Sequence, residues 1–339
     1  MVLITGATGL VGSHLALHLL ERGEKVRATY RKPQSRDYTK ATFALYGKEA
    51  LYEAISWYEA DINDIPALTN AFAGVTEVYH CAAFISFNRK LEEKMRKVNI
   101  EGTANLVNLA IDFKIRKICF VSSIAALGDP KERETTITEE TEWNPEKHHS
   151  DYAITKYGAE MESWRATQEG IDVVIVNPGV ILGPVPPNVK STQGSGEIFT
   201  AVANELPFYT NGGTGFVTVT DVVAIMFMLM KSDISGERFT IIEGNYTFRD
   251  IINTIADALK VKRPTIHALP WMTSLSWKLD WILSVIIGRK RQIYRDMAKS
   301  LHNREQLSND KVVAALQYRF TDIHSYIREV VELQKGRIT

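Results

Sequence analysis

The feature that most constrains the fold is a glycine-rich turn near the start, Thr5-Gly6-Ala7-Thr8-Gly9-Leu10-Val11-Gly12. An apolar run precedes it and a helical apolar pattern follows it, so the order predicts strand, turn and helix. We expect Gly6 to permit the tight turn, Gly9 to let backbone N–H groups approach a pyrophosphate, and Gly12 to let the helix pack closely on the strand. The alternative is a strand–helix turn that holds no ligand. The predicted cofactor contacts here are Gly6, Thr8, Gly9, Leu10, Val11 and Gly12.

Composition indicates an ordinary globular enzyme. The chain has 339 residues, of which 45% are hydrophobic and 24% charged, and its formal net charge is zero. A neutral chain gives no reason to expect nucleic acid as a partner. The two cysteines, Cys81 and Cys119, lie within or at the end of apolar runs and read as reduced core residues. No cysteine or histidine spacing suggests a metal site. The glycine turn starts too early to leave room for a signal peptide, so we expect a cytoplasmic protein.

One stretch, residues 271–288, is apolar enough to raise the question of a membrane. Lys278 and Asp280 interrupt it, and the uninterrupted run that remains is far shorter than the roughly 20 residues a span requires. We therefore expect no integral membrane span, and predict an amphipathic helix that covers the core. Contact with a membrane surface is the alternative.

Strand and helix patterns alternate along the first half of the chain. This alternation predicts an α/β fold with a doubly wound parallel Rossmann sheet. Right-handed crossovers would bring the carboxyl ends of the strands to one edge, where ligands bind. The predicted strands are residues 2–4, 25–30, 55–60, 77–81, 117–122 and 172–176.

The alternation loosens after Asn177-Pro178-Gly179. A proline- and glycine-rich stretch follows from Gly183 to Pro187, and Gly194 and Gly196 come after it. It predicts an exit from the sheet into an irregular region. We expect residues 1–178 to form the dinucleotide-binding domain, with 216–243 returning to it. Residues 179–215 and 244–339 would form a smaller, mostly helical substrate region.

Tyr152 and Lys156 are four residues apart near the start of a predicted helix, which puts both side chains on one face. A phenol has a pKa of about 10 and is a poor acid at neutral pH. A cation about 4 Å away at an effective dielectric of about 20 is worth roughly three pKa units. We therefore expect the pKa of Tyr152 to lie near neutrality, where it can exchange a proton. The alternative is an exposed pair with no role.

Two serines, Ser122 and Ser123, close the very apolar fifth strand. A hydroxyl at this point would face the crevice and could donate to a carbonyl oxygen beside Tyr152. The alternative is a serine that only forms a turn. No histidine stands in a Ser-His-Asp arrangement, which argues against a hydrolase.

Taken together, these motifs resemble the extended short-chain dehydrogenase/reductase family, also called the NAD-dependent epimerase/dehydratase family. The resemblance covers residues 1 to about 235. Its motifs occur in order and at suitable distances. They are the three-glycine turn, His80-Cys81-Ala82-Ala83, Asn99-Ile100-Glu101-Gly102-Thr103, Val121-Ser122-Ser123, Tyr152 with Lys156, and Asn177-Pro178-Gly179-Val180-Ile181-Leu182-Gly183-Pro184.

The resemblance implies roles for individual residues. Ser123, Tyr152 and Lys156 would be catalytic, and Asn99 would support the lysine through water. Ser123 is preferred to Ser122 because Gly128 follows it at the family's spacing. Lys156 would also bind the nicotinamide ribose. A homodimer through helices 94–112 and 151–169 is a further expectation from the family. The remaining cofactor contacts implied are Asp61 and Ile62 at the adenine, Ala82 and Ala83 behind the cofactor, Pro178 and Val180.

The end of the second strand bears on the choice of cofactor. NAD-selective sites carry an acid there to hold the ribose hydroxyls. This chain has Ala28-Thr29-Tyr30-Arg31-Lys32 and no acid, and Arg31 with Lys32 could pair with a 2′-phosphate. We therefore predict NADP(H) in preference to NAD(H). The alternatives are a surface basic pair and use of NAD(H).

Substrate class is less constrained. Nucleotide-sugar epimerases of the family carry an arginine before the segment that here reads Phe216-Val217-Thr218-Val219-Thr220-Asp221, and this chain lacks it. The segment is more similar to the dihydroflavonol reductase-like branch. The leading hypothesis is thus an NADP(H)-dependent carbonyl reductase or alcohol dehydrogenase acting on a weakly charged ketone or aldehyde, aromatic or alicyclic. Phe84-Ile85-Ser86-Phe87 and Trp143 could line its pocket. The alternatives are a nucleotide-sugar 4-epimerase or dehydratase with tightly held NAD(P), and a dinucleotide-sensing module.

Overall fold

The computed structural model describes residues 1–131, 135–186, 196–287, 291 and 294–334. Part of the predicted exit from the sheet, including Pro187 and Gly194, lies outside the described residues, as does Gly288.

The central sheet has seven parallel strands in the order β10-β6-β5-β4-β1-β2-β3, counted over the ranges above. This confirms the predicted fold class. Six of these strands were predicted from the sequence pattern, and the seventh, at residues 237–241, lies in the segment 216–243 that was expected to return to this domain. In chain order the strands are β1 (Val2–Thr5), β2 (Val26–Tyr30), β3 (Ser56–Glu59), β4 (Glu77–His80), β5 (Lys117–Val121), β6 (Asp172–Pro178), β7 (Val180–Leu182), β8 (Phe208–Tyr209), β9 (Gly213–Thr218), β10 (Glu237–Ile241), β11 (Gly244–Thr247) and β12 (Ile266–His267).

Helices cover both faces of the sheet because its strands are apolar on both sides. The helices are α1 (Leu10–Glu21), α2 (Arg36–Leu45), α3 (Glu49–Tyr52), α4 (Ile65–Phe72), α5 (Glu92–Arg96), α6 (Gly102–Asp112), α7 (Asp151–Gln168), α8 (Gly196–Ala203), α9 (Val219–Lys231), α10 (Phe248–Leu259), α11 (Pro270–Ile287), α12 (Arg295–Ser300), α13 (Asp310–Leu316) and α14 (Ile323–Leu333).

Successive side chains along each strand point to opposite faces of the sheet and pack into two separate hydrophobic cores. On β1, Val2 and Ile4 pack with α1, α2 and α9, whereas Leu3 packs with α4, α6 and α7. On β5, Cys119 belongs to the first core and Phe120 to the second.

A second, three-stranded sheet of order β11-β9-β7 begins where the chain leaves β6. Gly179 makes this step possible, since a Cβ there would lie 2.3 Å from the carbonyl oxygen of Gly215. After β9 the chain returns to the main body, because α9 packs on α1 and β10 pairs with β6. Helices α10 to α14 and the two-stranded pair β8-β12 make up most of the remainder.

Helix α11 differs from the helix expected to cover the core. Trp271 is 64% exposed and Trp281 52%, whereas the carboxylate-bearing Asp280 is only 4% exposed. Leu275 and Leu279 also face outward. Among the side chains of this helix that the structure describes, large apolar ones are therefore exposed outside any single core-facing stripe. Over the described residues, no helix is long and apolar enough to cross a bilayer.

Two helices begin with the same threonine cap and an aspartate three residues later, which allows a matched stability test. In α9, Asp221 is buried and accepts hydrogen bonds from the Tyr318 hydroxyl at 2.9 Å and from the Thr321 N–H at 3.1 Å. In α10, the equivalent Asp250 is exposed. We expect Asp221→Ala to lower the free energy of unfolding by about 3 kcal/mol, because it leaves buried hydrogen-bond donors without their acceptor. Asp250→Ala should cost about 0.7 kcal/mol. Urea denaturation checks both, and equal losses would contradict the role assigned to Asp221.

Candidate active site

The glycine turn adopts a conformation that side chains would prevent. Gly6 has φ of +71°, and a Cβ on it would lie 2.6 Å from the backbone nitrogen of Ala82. A Cβ on Gly12 would lie 2.3 Å from the carbonyl oxygen of Gly6. Gly9, in contrast, has room for a Cβ, with the same oxygen 3.6 Å away. The fold therefore requires glycine at positions 6 and 12, whereas it leaves room for a Cβ at position 9.

The N-terminus of α1 offers hydrogen-bond donors to a ligand. Gly9 is its cap residue and supplies no side chain to bond the first-turn N–H groups. The N–H groups of Leu10, Val11 and Gly12 have no partner within the helix. The first hydrogen bond of the helix is the one that the Ser13 N–H donates to the carbonyl oxygen of Gly9, at 2.9 Å. Such donors, with the positive end of the helix dipole, suit an anion. The turn therefore fits the pyrophosphate of a dinucleotide.

Three basic side chains follow β2. Arg31 and Lys32 are exposed, and neither forms an ion pair within the part of the chain that the structure describes. A single turn of helix then brings Arg36 back, with its guanidinium 4.7 Å from the centre of the Tyr30 ring. Sequence reasoning missed Arg36, because the turn that returns it is not visible as a spacing from the glycines.

The other predicted cofactor contacts lie along the same edge of the sheet. Asp61 comes just after β3 and its Oδ1 accepts from the N–H of Asn63 at 2.9 Å. Ile62 is buried against Gly102, where a Cβ would lie 2.4 Å from its Cδ1. Ala82 and Ala83 follow β4 beside the glycine turn, and Pro178 and Val180 lie at the step from β6 to β7. Their contact with a cofactor remains a prediction.

Ser123 and Tyr152 meet beyond the carboxyl end of β5. Ser123 caps a single helical turn, with its Oγ accepting from the N–H of Ala125 at 3.2 Å. Tyr152 lies in the first turn of α7, which begins at the Ser150 cap. Burial raises the pKa of Tyr152, and a hydrogen bond with Ser123 opposes that rise. The phenol is therefore protonated at neutral pH.

The expected lowering of the Tyr152 pKa toward neutrality is wrong for this structure. The expectation required the ammonium of Lys156 to act directly on the phenol. Instead, Lys156 donates to the carbonyl oxygen of Val121 at 2.7 Å and lies 4.7 Å from the centre of the Phe120 ring. Desolvation of the phenol is therefore the larger effect.

Lys156 is itself unusual, because its side chain is only 2% exposed. Desolvation lowers the pKa of this lysine to about 8, and the nearby Glu160 opposes the shift. Most of the lysine is still charged at neutral pH. Its ammonium is thus a buried cation between β5 and the phenol helix.

Asn99 lies in a short π-helical segment, Lys97–Glu101, that joins α5 to α6. Its Nδ2 donates to the carbonyl oxygen of Phe84 at 2.9 Å and to the Thr155 Oγ1 at 3.0 Å. Its Oδ1 accepts from the Phe84 N–H at 2.7 Å. Asn99 thus joins the segment after β4 to the residue next to Lys156. The water-mediated support of the lysine remains a prediction.

Two of the aromatic residues proposed for a substrate pocket have defined surroundings. Phe84 is held through its backbone by Asn99, and Trp143 stacks between His149 and Tyr157, at ring-centre distances of 3.8 and 4.4 Å. Trp143 lines a cleft of about 590 Å³ along the outer side of α7. Within the described ranges, no group of three or more potential metal-ligating side chains is present. Burial raises the pKa of the Cys81 thiol to about 12, so it is not a reactive thiolate.

Sequence reasoning missed a polar cluster behind Lys156. It consists of Glu160 on α7, Asn177 at the end of β6 and Arg238 on β10, joined by hydrogen bonds. The sequence could have indicated Glu160, because it comes four residues after Lys156 and falls on the same face of the helix. No local pattern indicates Arg238, which comes 78 residues later.

The fold and this edge define a Rossmann-type oxidoreductase that binds a nicotinamide dinucleotide. The family model described as the NAD dependent epimerase/dehydratase family matches residues 2–242. The chain belongs to that family, as an extended short-chain dehydrogenase/reductase.

Curated relatives include named reductases. A protein from Synechocystis named as a dihydroflavonol 4-reductase is 28% identical over 302 residues, covering 87% of this chain and 83% of its own. Cinnamoyl-CoA reductase 1 from Petunia hybrida is 27% identical, covering 76% of each chain.

Solved structures share the whole fold. Yeast methylglyoxal/isovaleraldehyde reductase Gre2, complexed with NADPH, has a TM-score of 0.74 at 19% identity and covers 99% of this chain and 98% of its own. UDP-glucose 4-epimerase from Thermotoga maritima has a TM-score of 0.76 at 18% identity, with the same coverage. Since a reductase and an epimerase match equally well, these structures support the fold alone.

Proposed function

We propose that the protein is an NADP(H)-dependent carbonyl reductase that acts on a weakly charged ketone or aldehyde. The observation that carries the proposal is the protonated phenol of Tyr152, hydrogen-bonded to Ser123 at the ligand-binding edge of the sheet. Carbonyl reduction consumes a proton at the oxygen, and the phenol carries such a proton at neutral pH. Its raised pKa makes it a weak acid, so the proton transfer follows the negative charge that hydride addition places on the substrate oxygen. The relatives that are named as reductases also support carbonyl reduction as the reaction.

Each residue has a proposed task. The nicotinamide, when bound, supplies or accepts the hydride. The first-turn N–H groups of α1 bind the pyrophosphate, and Lys156 holds the nicotinamide ribose. Ser123 donates a hydrogen bond that orients the substrate oxygen, and Tyr152 gives the oxygen its proton. We place the cofactor on residues 1–178 with 216–243, and the substrate against 179–215 and 244–339.

Cofactor choice is proposed from the basic residues after β2. Arginine binds phosphate through paired N–H groups, and a lost hydrogen bond to a charged group is worth about tenfold in affinity. We expect Arg31→Ala and Arg36→Ala each to weaken NADPH binding about tenfold, with NADH binding unchanged. Fluorescence titration checks this. Lys25→Ala is the matched control, because Lys25 is exposed just before β2, at the opposite edge of the sheet. Equal losses for NADPH and NADH would contradict the NADP(H) assignment.

The reaction class is tested by NADPH oxidation against aryl ketones, alicyclic ketones, aldehydes and UDP- or GDP-sugars. We expect net oxidation of NADPH with carbonyl compounds from the first three groups. Conversion of a nucleotide sugar with no net change in NADPH absorbance, and cofactor retained through purification, would instead establish the epimerase or dehydratase alternative.

A further inference from the structure

A fully buried carboxylate lies one helical turn beyond Lys156. The Glu160 side chain is 0% exposed. One of its oxygens accepts from the Asn177 Nδ2 at 2.5 Å, and the other accepts from the Arg238 Nη1 at 3.2 Å. Burying a carboxylate is costly even when it is paired, and an apolar residue would fill the same space at lower cost. The cost suggests that the carboxylate serves the neighbouring site.

Asn177 joins Glu160 to Ser123. Its Nδ2 donates both to the Glu160 carboxylate and to the backbone carbonyl oxygen of Ser123, the latter at 2.9 Å. Rotating the amide would place its oxygen against two other oxygens, so these contacts fix its orientation. The backbone of Ser123 is therefore held by a side chain that is in turn held by Glu160.

Arg238 holds the other side of the carboxylate. Its Nε donates to the carbonyl oxygen of Glu139 at 2.9 Å, and the carboxylate of Glu139 accepts from the Thr240 N–H at 2.6 Å. The guanidinium is thereby fixed at both ends, between the segment around Glu139 and α7. Glu160 cannot turn away from the site without breaking this pair.

Glu160 is also the negative charge that faces Lys156. The titratable groups that act on the ammonium are Glu160 on α7, His80 at the end of β4, and Cys81 just after it. Burial keeps His80 neutral by lowering its pKa to about 3, and keeps the Cys81 thiol neutral. Burial raises the pKa of Glu160, and the charge of Arg238 on β10, with the hydrogen bonds from Arg238 and Asn177, opposes that rise.

We propose that Glu160 is a positioning residue, which fixes Ser123 through Asn177 and supplies the counter-charge that keeps the Lys156 ammonium in place. This inference rests on the proposed function, because it assigns Glu160 a task at the same site. It adds a third turn of α7 to the site and makes Arg238, on the edge strand, part of its support.

The first test measures the charge on Lys156 directly and needs neither substrate nor cofactor. Protein labelled with carbon-13 lysine is titrated by NMR, and the Lys156 signal is identified by its loss in Lys156→Arg. We expect the pKa of Lys156, about 8 in the native protein, to fall by about one unit in Glu160→Gln. Glu162→Gln is the matched control, since Glu162 is on the same helix but pairs with Arg165, and should leave that pKa unchanged. If the pKa of Lys156 is the same in the native protein, Glu160→Gln and Glu162→Gln, the role of Glu160 as the counter-charge is overturned.

Should Glu160→Gln fail to fold, the native protein still decides the question. A carbon-13 titration of its glutamate carboxyl groups is expected to show Glu160 ionised at neutral pH. A protonated Glu160 would overturn the proposal.

The second test addresses Ser123. Asn177→Ala leaves the Glu160–Arg238 pair in place and removes the side-chain hydrogen bond to the carbonyl of Ser123, which keeps only its bond from the Ala126 N–H at 3.0 Å. We expect kcat to fall about tenfold with the KM for NADPH unchanged, and the pKa of Lys156 to stay at its native value. An unchanged kcat would overturn the link to Ser123. If no carbonyl compound is reduced at all, the proposed function fails, while the lysine titration still reports whether Glu160 controls the charge.

Discussion

Tyr152→Phe is expected to lower kcat/KM for carbonyl reduction about a thousandfold, within the range found for loss of a general acid. The substitution removes only the hydroxyl that is hydrogen-bonded to Ser123. NADPH affinity should stay within about twofold, because the pyrophosphate is bound far from the phenol by the first turn of α1. Steady-state rates and fluorescence titration of NADPH measure the two effects separately.

Tyr58→Phe is the control for this experiment. Tyr58 lies on β3, the strand at the edge of the sheet remote from β6 and β10, and its ring is 4.5 Å from the Arg27 guanidinium. Its substitution should leave both kcat/KM and NADPH affinity near their native values. If Tyr152→Phe keeps most of its activity, Tyr152 is not the proton donor.

The second large effect is expected from a pair of glycines in the same turn. Gly12→Ala would place a Cβ 2.3 Å from the carbonyl oxygen of Gly6, so α1 must move away from β1. We expect it to lower the free energy of unfolding by about 3 kcal/mol and to abolish NADPH binding. Gly9→Ala meets only an ordinary contact at 3.6 Å, and its backbone is extended. Its stability should change by less than about 0.5 kcal/mol.

The contrast lies in binding. If Gly9 is small so that a pyrophosphate can approach, Gly9→Ala should weaken NADPH binding about thirtyfold, or about 2 kcal/mol, in a fully folded protein. Urea denaturation and fluorescence titration on the same samples check both variants. A Gly9→Ala protein that binds NADPH normally would contradict the assignment of this turn to the pyrophosphate.

The sequence predicted those parts of the fold and the site that are determined by residues close together in the chain. The glycine turn could be read because Gly6 and Gly12 are required by contacts within one strand–turn–helix unit. The parallel sheet followed from apolar runs separated by helical patterns, and the seventh strand joined it as a short run of the same kind. The proximity of Ser123 to Tyr152 followed from their placement after β5 and at the start of α7.

Properties that depend on tertiary burial could not be predicted in this way. The pKa of Tyr152 rises because the folded protein desolvates the phenol, while Lys156 bonds to Val121. Helix spacing hinted at Glu160, but its partner Arg238 comes from a strand far along the chain. The outward face of α11 likewise depends on which side of that helix the body covers, which its composition does not specify.

The most direct test of the central claim is a crystal structure of the complex with NADP⁺. We predict the pyrophosphate on the N–H groups of Leu10, Val11 and Gly12, and the nicotinamide ribose on Lys156. The hydroxyl of Tyr152 should face the nicotinamide from the side of Ser123. A cofactor bound elsewhere, or a phenol directed away from the nicotinamide, would contradict the proposed reductase.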